Sequence, residues 1–156
     1  EVDLAYAVCK PKRTTVAAFY VSILYTKYTM SSIFTKIING ELPSYKIYED
    51  EYVIAILDLN PIQKGHVLVI PKQEVDQLFE LDEVMYDEMM RRVRYMAQVM
   101  KAKTECARVC VFVEGYGVPH VHVHLVPTNK PEDFDKIHVY KASEDELREM
   151  QELLAH

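Results

Sequence analysis

Residues 119–127 read Pro-His-Val-His-Val-His-Leu-Val-Pro. Alternation of a polar ring with an aliphatic side chain is the period of a strand with one buried face, because successive side chains point to opposite sides of the backbone. A strand over His120–Val126 turns Val121, Val123 and Leu125 towards a core and His120, His122 and His124 the other way. Side chains two residues apart are separated by about 6.6–6.8 Å along a strand. The three imidazoles therefore make a strip long enough to flank one phosphate group. His66 offers a fourth ring, heading a strand over His66–Ile70 after Gly65, where a missing side chain lets a ligand or backbone come close. A single histidine is usually a half-buried polar residue, but three in strict alternation with valine are not that pattern. His-X-His on a strand also suits zinc. Structural zinc wants a fourth ligand, and no cysteine or carboxylate pattern near the triad supplies one, so neither metal nor any other cofactor is expected.

Outward from the triad, periodicity predicts the remaining elements. Ser31 or Ser32 caps a short helix through Ile38, stopped by Asn39-Gly40. Tyr45–Glu49 and Tyr52–Leu59 read as strands around an Asp50-Glu51 turn. Leu81, Met85, Met89, Val93, Met96 and Met100 recur at spacings of three and four, which predicts a long helix over Asp82–Thr104. That methionine stripe belongs to a core or a subunit contact rather than to a ligand site. Arg108–Val113 makes another strand, and Ser143-Glu-Asp-Glu146 is a capping box opening a last helix through Leu154. Short links between neighbouring strands favour a mainly antiparallel sheet of about five strands. The class is α+β rather than doubly wound.

The 156 residues carry 18 basic and 24 acidic side chains, a net charge of −6. No basic patch dominates, which argues against a general nucleic-acid binder. Residues 1–30 differ from the rest, with a net charge of +2 against −8 for the remainder. Their Lys10-Pro-Lys-Arg13 and apolar run Thr14–Tyr25 have the flavour of a signal peptide. However, the charges sit ten residues in, no small-residue cleavage site follows, and the run is too short to span a bilayer. Met30-Ser-Ser-Ile-Phe reads as a natural start, so 1–29 is expected to be an N-terminal extension of upstream sequence and 30–156 the domain. Cys9, Cys106 and Cys110 are odd in number and badly spaced for zinc fingers. They read as free thiols of a reducing compartment, the cytoplasm, with no membrane partner.

His120-Val-His-Val-His124-Leu-Val resembles the signature of the histidine-triad (HIT) superfamily of nucleotide hydrolases and transferases. Ser32-Ile-Phe-Thr-Lys-Ile-Ile-Asn-Gly-Glu-Leu-Pro43 and Asp58-Leu-Asn-Pro-Ile-Gln-Lys-Gly-His-Val-Leu-Val-Ile-Pro-Lys72 resemble its two upstream blocks, and the likeness is nearest to the small Hint-like branch. The resemblance implies a HIT-like α+β fold and a small-molecule nucleotide substrate. His122 would attack the α-phosphorus of a purine nucleoside phosphoramidate or related nucleotidyl compound and form a covalent nucleotidyl-histidine. It implies that His124 contacts phosphoryl oxygens or the leaving group and that His120 and His66 orient the site. Backbone N–H groups from Gly117 to His120 would face the phosphoryl charge. Asp58 would take the ribose hydroxyls, and Ile33, Phe34, Ile37, Ile56 and Leu59 would line a base pocket. Simple core packing accounts for those apolar residues equally well, and a turn before Asn60-Pro61 accounts for Asp58. The loop Val113–Pro119 is shorter than the family's usual Gly-Gln-Ser or Gly-Gln-Thr stretch, which leaves leaving-group preference open. Two alternatives stand beside this reading: a dinucleoside polyphosphate hydrolase, and a nucleotide-binding scaffold with weak turnover. Likeness to a dimeric family, with the methionine stripe, suggests a homodimer.

Overall fold

The computed structural model describes residues 31–137 and 139–155. The expectations placed on residues 1–30 lie outside the described residues.

Ser32 Oγ accepts the Thr35 N–H and caps α1 (Ile33–Ile38), and Gly40, at φ 75°, turns the chain out of it. Strands β1 (Lys46–Glu49) and β2 (Val53–Leu57) are joined through Asp50, whose Oδ1 accepts from both the Tyr52 and Val53 N–H groups at 2.9 Å. β3 (Val67–Pro71) follows, then a 3-10 turn at Leu78–Glu80 and the long helix α2 (Glu83–Thr104), capped by Asp82. β4 (Arg108–Val113), β5 (Val123–Thr128), a second 3-10 turn at Pro131–Asp133 and α3 (Glu144–Leu154) complete the order. Ser143 caps α3, while the Glu146 carboxylate accepts from the Tyr140 hydroxyl at 2.6 Å. No helix among the described residues is long and apolar enough to cross a membrane.

The five strands form one antiparallel sheet in the order β1-β2-β3-β5-β4. Its two faces differ in chemistry. Val53, Ala55, Leu57, Val67, Val69, Val123 and Leu125 face the main core, where α2 and α3 pack. Ile54, Ile56, Leu68 and Ile70 point the other way and form a second cluster with Phe34 of α1. His124 shares that second face. β2 and β3 are buried on both sides, so their apolar residues run without a break instead of alternating.

The strand expected over His120–Val126 is revised. The triad strand begins at Val123, not His120, and ends at Thr128. Opposite β3 the register runs Val69↔Val123, so Val121 would fall opposite Pro71. Proline has no N–H to continue a ladder. The chain peels away instead, the Val121 N–H donating to the Val75 carbonyl at 2.7 Å. The far end is longer because β4 pairs with β5 as far as Arg108↔Thr128. The methionine stripe takes the first of its two expected places, the core: Met89, Val93, Met96 and Met100 are all buried against the sheet. Gly65 stands where α3 packs close. It has φ +84°, and a Cβ there would stand 2.8 Å from the Met150 methyl of α3.

Candidate active site

The fold brings four histidines together on the second face. His66 (2% exposed) precedes β3, His120 (0%) and His122 (6%) precede β5, and His124 (8%) lies within it. His122 and His124 have ring centroids 4.8 Å apart, and His66 and His124 5.1 Å. Phe34 packs edge-on against His122 at 4.9 Å and against His120 at 5.9 Å. Although His120 and His122 lie outside the ladder, the alternation survives. Val121 sits in the main core between them.

The hydrogen-bond partners assign every tautomer. A carbonyl can only accept, so the 2.7 Å contact between His122 Nδ1 and the His120 carbonyl puts the proton on Nδ1. In the neutral ring the lone pair of His122 is then on Nε2. His120 Nε2–H donates to the Pro71 carbonyl at 2.9 Å, which leaves its Nδ1 to accept from the Ser32 hydroxyl at 2.7 Å. His66 Nδ1 accepts the Ile62 N–H at 3.2 Å, so its Nε2–H donates to His124 Nδ1 at 3.0 Å. His124 must therefore carry its proton on Nε2. That atom is buried and has no partner among the described residues. An orphaned buried donor costs about 1–3 kcal/mol, and here it belongs to the side chain beside the free lone pair of His122.

Burial favours the uncharged form of His66, His120 and His124. It pushes His66 and His120 below the ordinary histidine range, and pushes His124 from 6.5 down to about 3, with His122, His66 and Lys136 adding repulsion. Asp58 Oδ2 lies 3.5 Å from His66 Nδ1 and opposes that shift without overcoming it. A nitrogen accepting the Ile62 N–H has no proton for a carboxylate, so this pair is a proximity rather than an ion pair.

Asp58 also makes the turn. Its Oδ1 accepts the Asn60 N–H at 2.9 Å, and its Oδ2 is the oxygen nearest His66. The ligand atoms of Asp58, His66 and His124 lie within 4.8 Å of one another, a separation that could hold a cation. The fold thus supplies the carboxylate that the sequence pattern did not show. However, the two nitrogens between His66 and His124 already share a proton, and His66 Nδ1 already takes the Ile62 N–H. A cation would have to break this network.

Of the apolar residues expected at a base pocket, Phe34 and Ile56 are buried in the second cluster and Ile37 packs against it. Ile33 and Leu59 remain exposed and stand outside that cluster. Leu59 lines a separate cleft with Pro43, Tyr45 and Gln151. In the loop before the triad, Gly117 is exposed with open space at its Cα, but the His120 N–H is spent on the Val118 carbonyl at 2.8 Å. That N–H is removed from the expected phosphoryl donors.

Several contributors were not legible as site residues. Phe112 stacks on His124 with centroids 4.2 Å apart and planes at 7°, and Lys136 lies 3.6 Å above the Phe112 ring. Phe112 is the cross-strand partner of His124, so counting outward from the loop between β4 and β5 could have found it. Ser32 carries only the signature of a helix cap in the sequence. The Ile62 N–H and the Pro71 carbonyl are backbone groups with no sequence signature.

Residues 39–131 match the HIT domain family model. An uncharacterised HIT-like protein of Borreliella burgdorferi is 36% identical over 109 residues, covering 65% of this chain and 78% of that one. The adenosine 5'-monophosphoramidase HNT1 of Saccharomyces cerevisiae is 35% identical over 96 residues, covering 61% of each chain. Among solved structures, a Hit-like protein of Bartonella henselae, described as involved in cell-cycle regulation, superimposes with a TM-score of 0.71 at 27% identity. That match covers 80% of this chain and 93% of the other. The chain belongs to the HIT domain family.

Proposed function

We propose that the protein is a nucleotide hydrolase that cleaves at the α-phosphorus of purine nucleoside phosphoramidates or related nucleotidyl compounds, with His122 as nucleophile. The observation that carries this reading is the His122 Nδ1–H bond to the His120 carbonyl, which in the neutral ring puts the lone pair on Nε2 within a buried strip of imidazoles. The lone pair on Nε2 attacks phosphorus, a new N–P bond forms, and the bond to the leaving amine breaks. Water then attacks the same phosphorus, releasing the nucleoside monophosphate and regenerating the imidazole.

His124 has two tasks in this reading. Its orphaned Nε2–H donates to a phosphoryl oxygen, which replaces a missing partner and stabilises developing charge. The phosphate's negative charge also counters the burial that keeps the ring neutral. With substrate bound, His124 Nε2–H gives its proton to the leaving amine and is reprotonated from solvent, and the water that attacks in the second step returns one proton to solvent, so the ring is neutral after each step. Phe112 and His66 hold the His124 ring from its face and from its Nδ1 edge. Asp58 takes the ribose hydroxyls through its carboxylate. The 35% identity to a yeast adenosine 5'-monophosphoramidase supports this substrate class. The test is release of AMP from adenosine 5'-phosphoramidate by the wild-type protein and its loss in His122→Ala.

We also propose a homodimer, with the contact on β4. Among the described residues β4 is an outer strand of the sheet and exposes Val111 and Val113, at 50% and 40%. An apolar open edge of this kind invites pairing. A solution mass of one chain at micromolar concentration would argue against it.

A further inference from the structure

We infer that Ser32, braced by Thr35 and Glu74, is a positioning residue for the nucleophile, acting through His120. The inference rests on the reading of His122 as the attacking group and extends it to a residue outside the triad. His120 is fully buried and touches polar groups at both ring nitrogens. Its Nε2–H is fixed by the Pro71 carbonyl, so Nδ1 must accept, and the hydroxyl of Ser32 must be the donor. Because the single Ser32 proton is committed to His120, Ser32 cannot also donate to Thr35 Oγ1, 3.2 Å away. Thr35 turns its own hydroxyl proton to Glu74 Oε2, which also accepts the Ser32 N–H at 3.2 Å. The Ser32 oxygen accepts the Thr35 N–H at 3.0 Å. Thr35 Oγ1 also lies 3.4 Å from His120 Nδ1, but the Ser32 hydroxyl is nearer at 2.7 Å and the Thr35 proton goes to Glu74.

The result is a clamp on residue 120 from two directions. Pro71, at the end of β3, holds one edge of the ring, and the first turn of α1 holds the other. The carbonyl of that same residue accepts the His122 Nδ1–H at 2.7 Å. Fixing the His120 ring therefore fixes the acceptor that selects the His122 tautomer and aims its Nε2. A helix N-cap alone would not require Ser32 to face an imidazole 88 positions later in the chain. Glu74 is exposed, so its contribution is bracing, and Ser32 is the member whose loss the buried ring feels.

The experiment combines histidine nitrogen NMR with kinetics. Three variants are compared with wild type: Ser32→Ala, which loses both cap and donor; Ser32→Asp, which keeps a cap acceptor but has no proton for a neutral Nδ1; and Ser32→Thr, which keeps both. In ligand-free wild type, His122 is expected as the Nδ1–H tautomer and His120 as the Nε2–H tautomer. In Ser32→Ala and Ser32→Asp the His120 ring nitrogens should shift and His122 should become a mixture of tautomers. Turnover of adenosine 5'-phosphoramidate should fall about ten- to a hundredfold in kcat with KM little changed, as expected for a misplaced reacting group. Ser32→Thr should restore both readouts. If Ser32→Ala does not fold, Ser32→Asp decides. Wild-type nitrogen signals for His120 and His122 in Ser32→Asp would overturn the inference whatever the rates. Failure of wild type to turn over the substrate would overturn the proposed function, while the tautomer shifts would still test the clamp.

Discussion

Acidification should destabilise this protein well above the range where carboxylates titrate, and His124 should carry a measurable share of the loss. The ring titrates at about 3 in the folded chain and at 6.5 when exposed. Between those values the unfolded state binds the extra proton. The stabilisation is therefore complete above about pH 6.5 and is lost as pH falls towards 3. At about 1.36 kcal/mol per pH unit per proton, lowering the pH from 7.5 to 5 removes about 2 kcal/mol through His124 alone. His66 and His120 are shifted in the same direction by the same cause and add to the fall. The perturbation is His124→Gln, an amide that does not titrate and whose carbonyl can accept from His66 Nε2–H. Urea denaturation of both proteins at pH 7.5 and 5.0 gives the two pH-dependent losses, provided the m-value is unchanged. Wild type should lose about 2 kcal/mol more than His124→Gln. Equal losses in the two proteins, or a wild type that gains stability in acid, would refute the assignment of a buried neutral imidazole.

Other perturbations probe the remaining groups. Asp58→Asn keeps an acceptor for the Asn60 N–H, so the turn should survive. The preference for ribonucleotides over 2'-deoxy analogues in kcat/KM should nevertheless fall about tenfold, since a bond to a charged acceptor contributes about 1.5–3 kcal/mol. An unchanged preference would make Asp58 a turn residue only. Phe112→Leu removes the ring stacked on His124. An aromatic pair of this kind contributes about 0.5–1.5 kcal/mol, and turnover should drop severalfold while the sheet still forms, read by circular dichroism. Exhaustive chelation should leave activity unchanged. Stoichiometric zinc whose removal abolishes turnover would instead assign Asp58, His66 and His124 to a metal.

The elements that sequence reads well are those fixed by local chemistry. Ser32, Asp82 and Ser143 each accept an N–H at the start of a helix, and the alternation around Val121, Val123 and Leu125 separates core from site. The methionine stripe showed that α2 has one apolar face, but periodicity cannot say whether that face meets a sheet or another subunit. What stayed hidden depends on pairing between distant segments. The shortened start of β5 follows from Pro71 lying opposite Val121, a register set by tertiary structure. The close packing at Gly65 is made by Met150, 85 positions away in the chain, and has no local signature. The identity of the four site histidines was visible. Their tautomers were not, because these are set by the carbonyls of Pro71 and His120, the Ile62 N–H and the Ser32 hydroxyl.

The most direct test of the central claim is mass spectrometry of protein quenched during turnover of adenosine 5'-phosphoramidate and kept alkaline, because an N–P bond to imidazole is labile in acid. A His122 ring held by its Nδ1–H, with Nε2 as the attacking atom, predicts one adenylyl group, carried by the peptide that contains residue 122 and absent from His122→Ala, which should have no turnover. An adduct on any other residue, or wild-type rates in His122→Ala, would contradict the account.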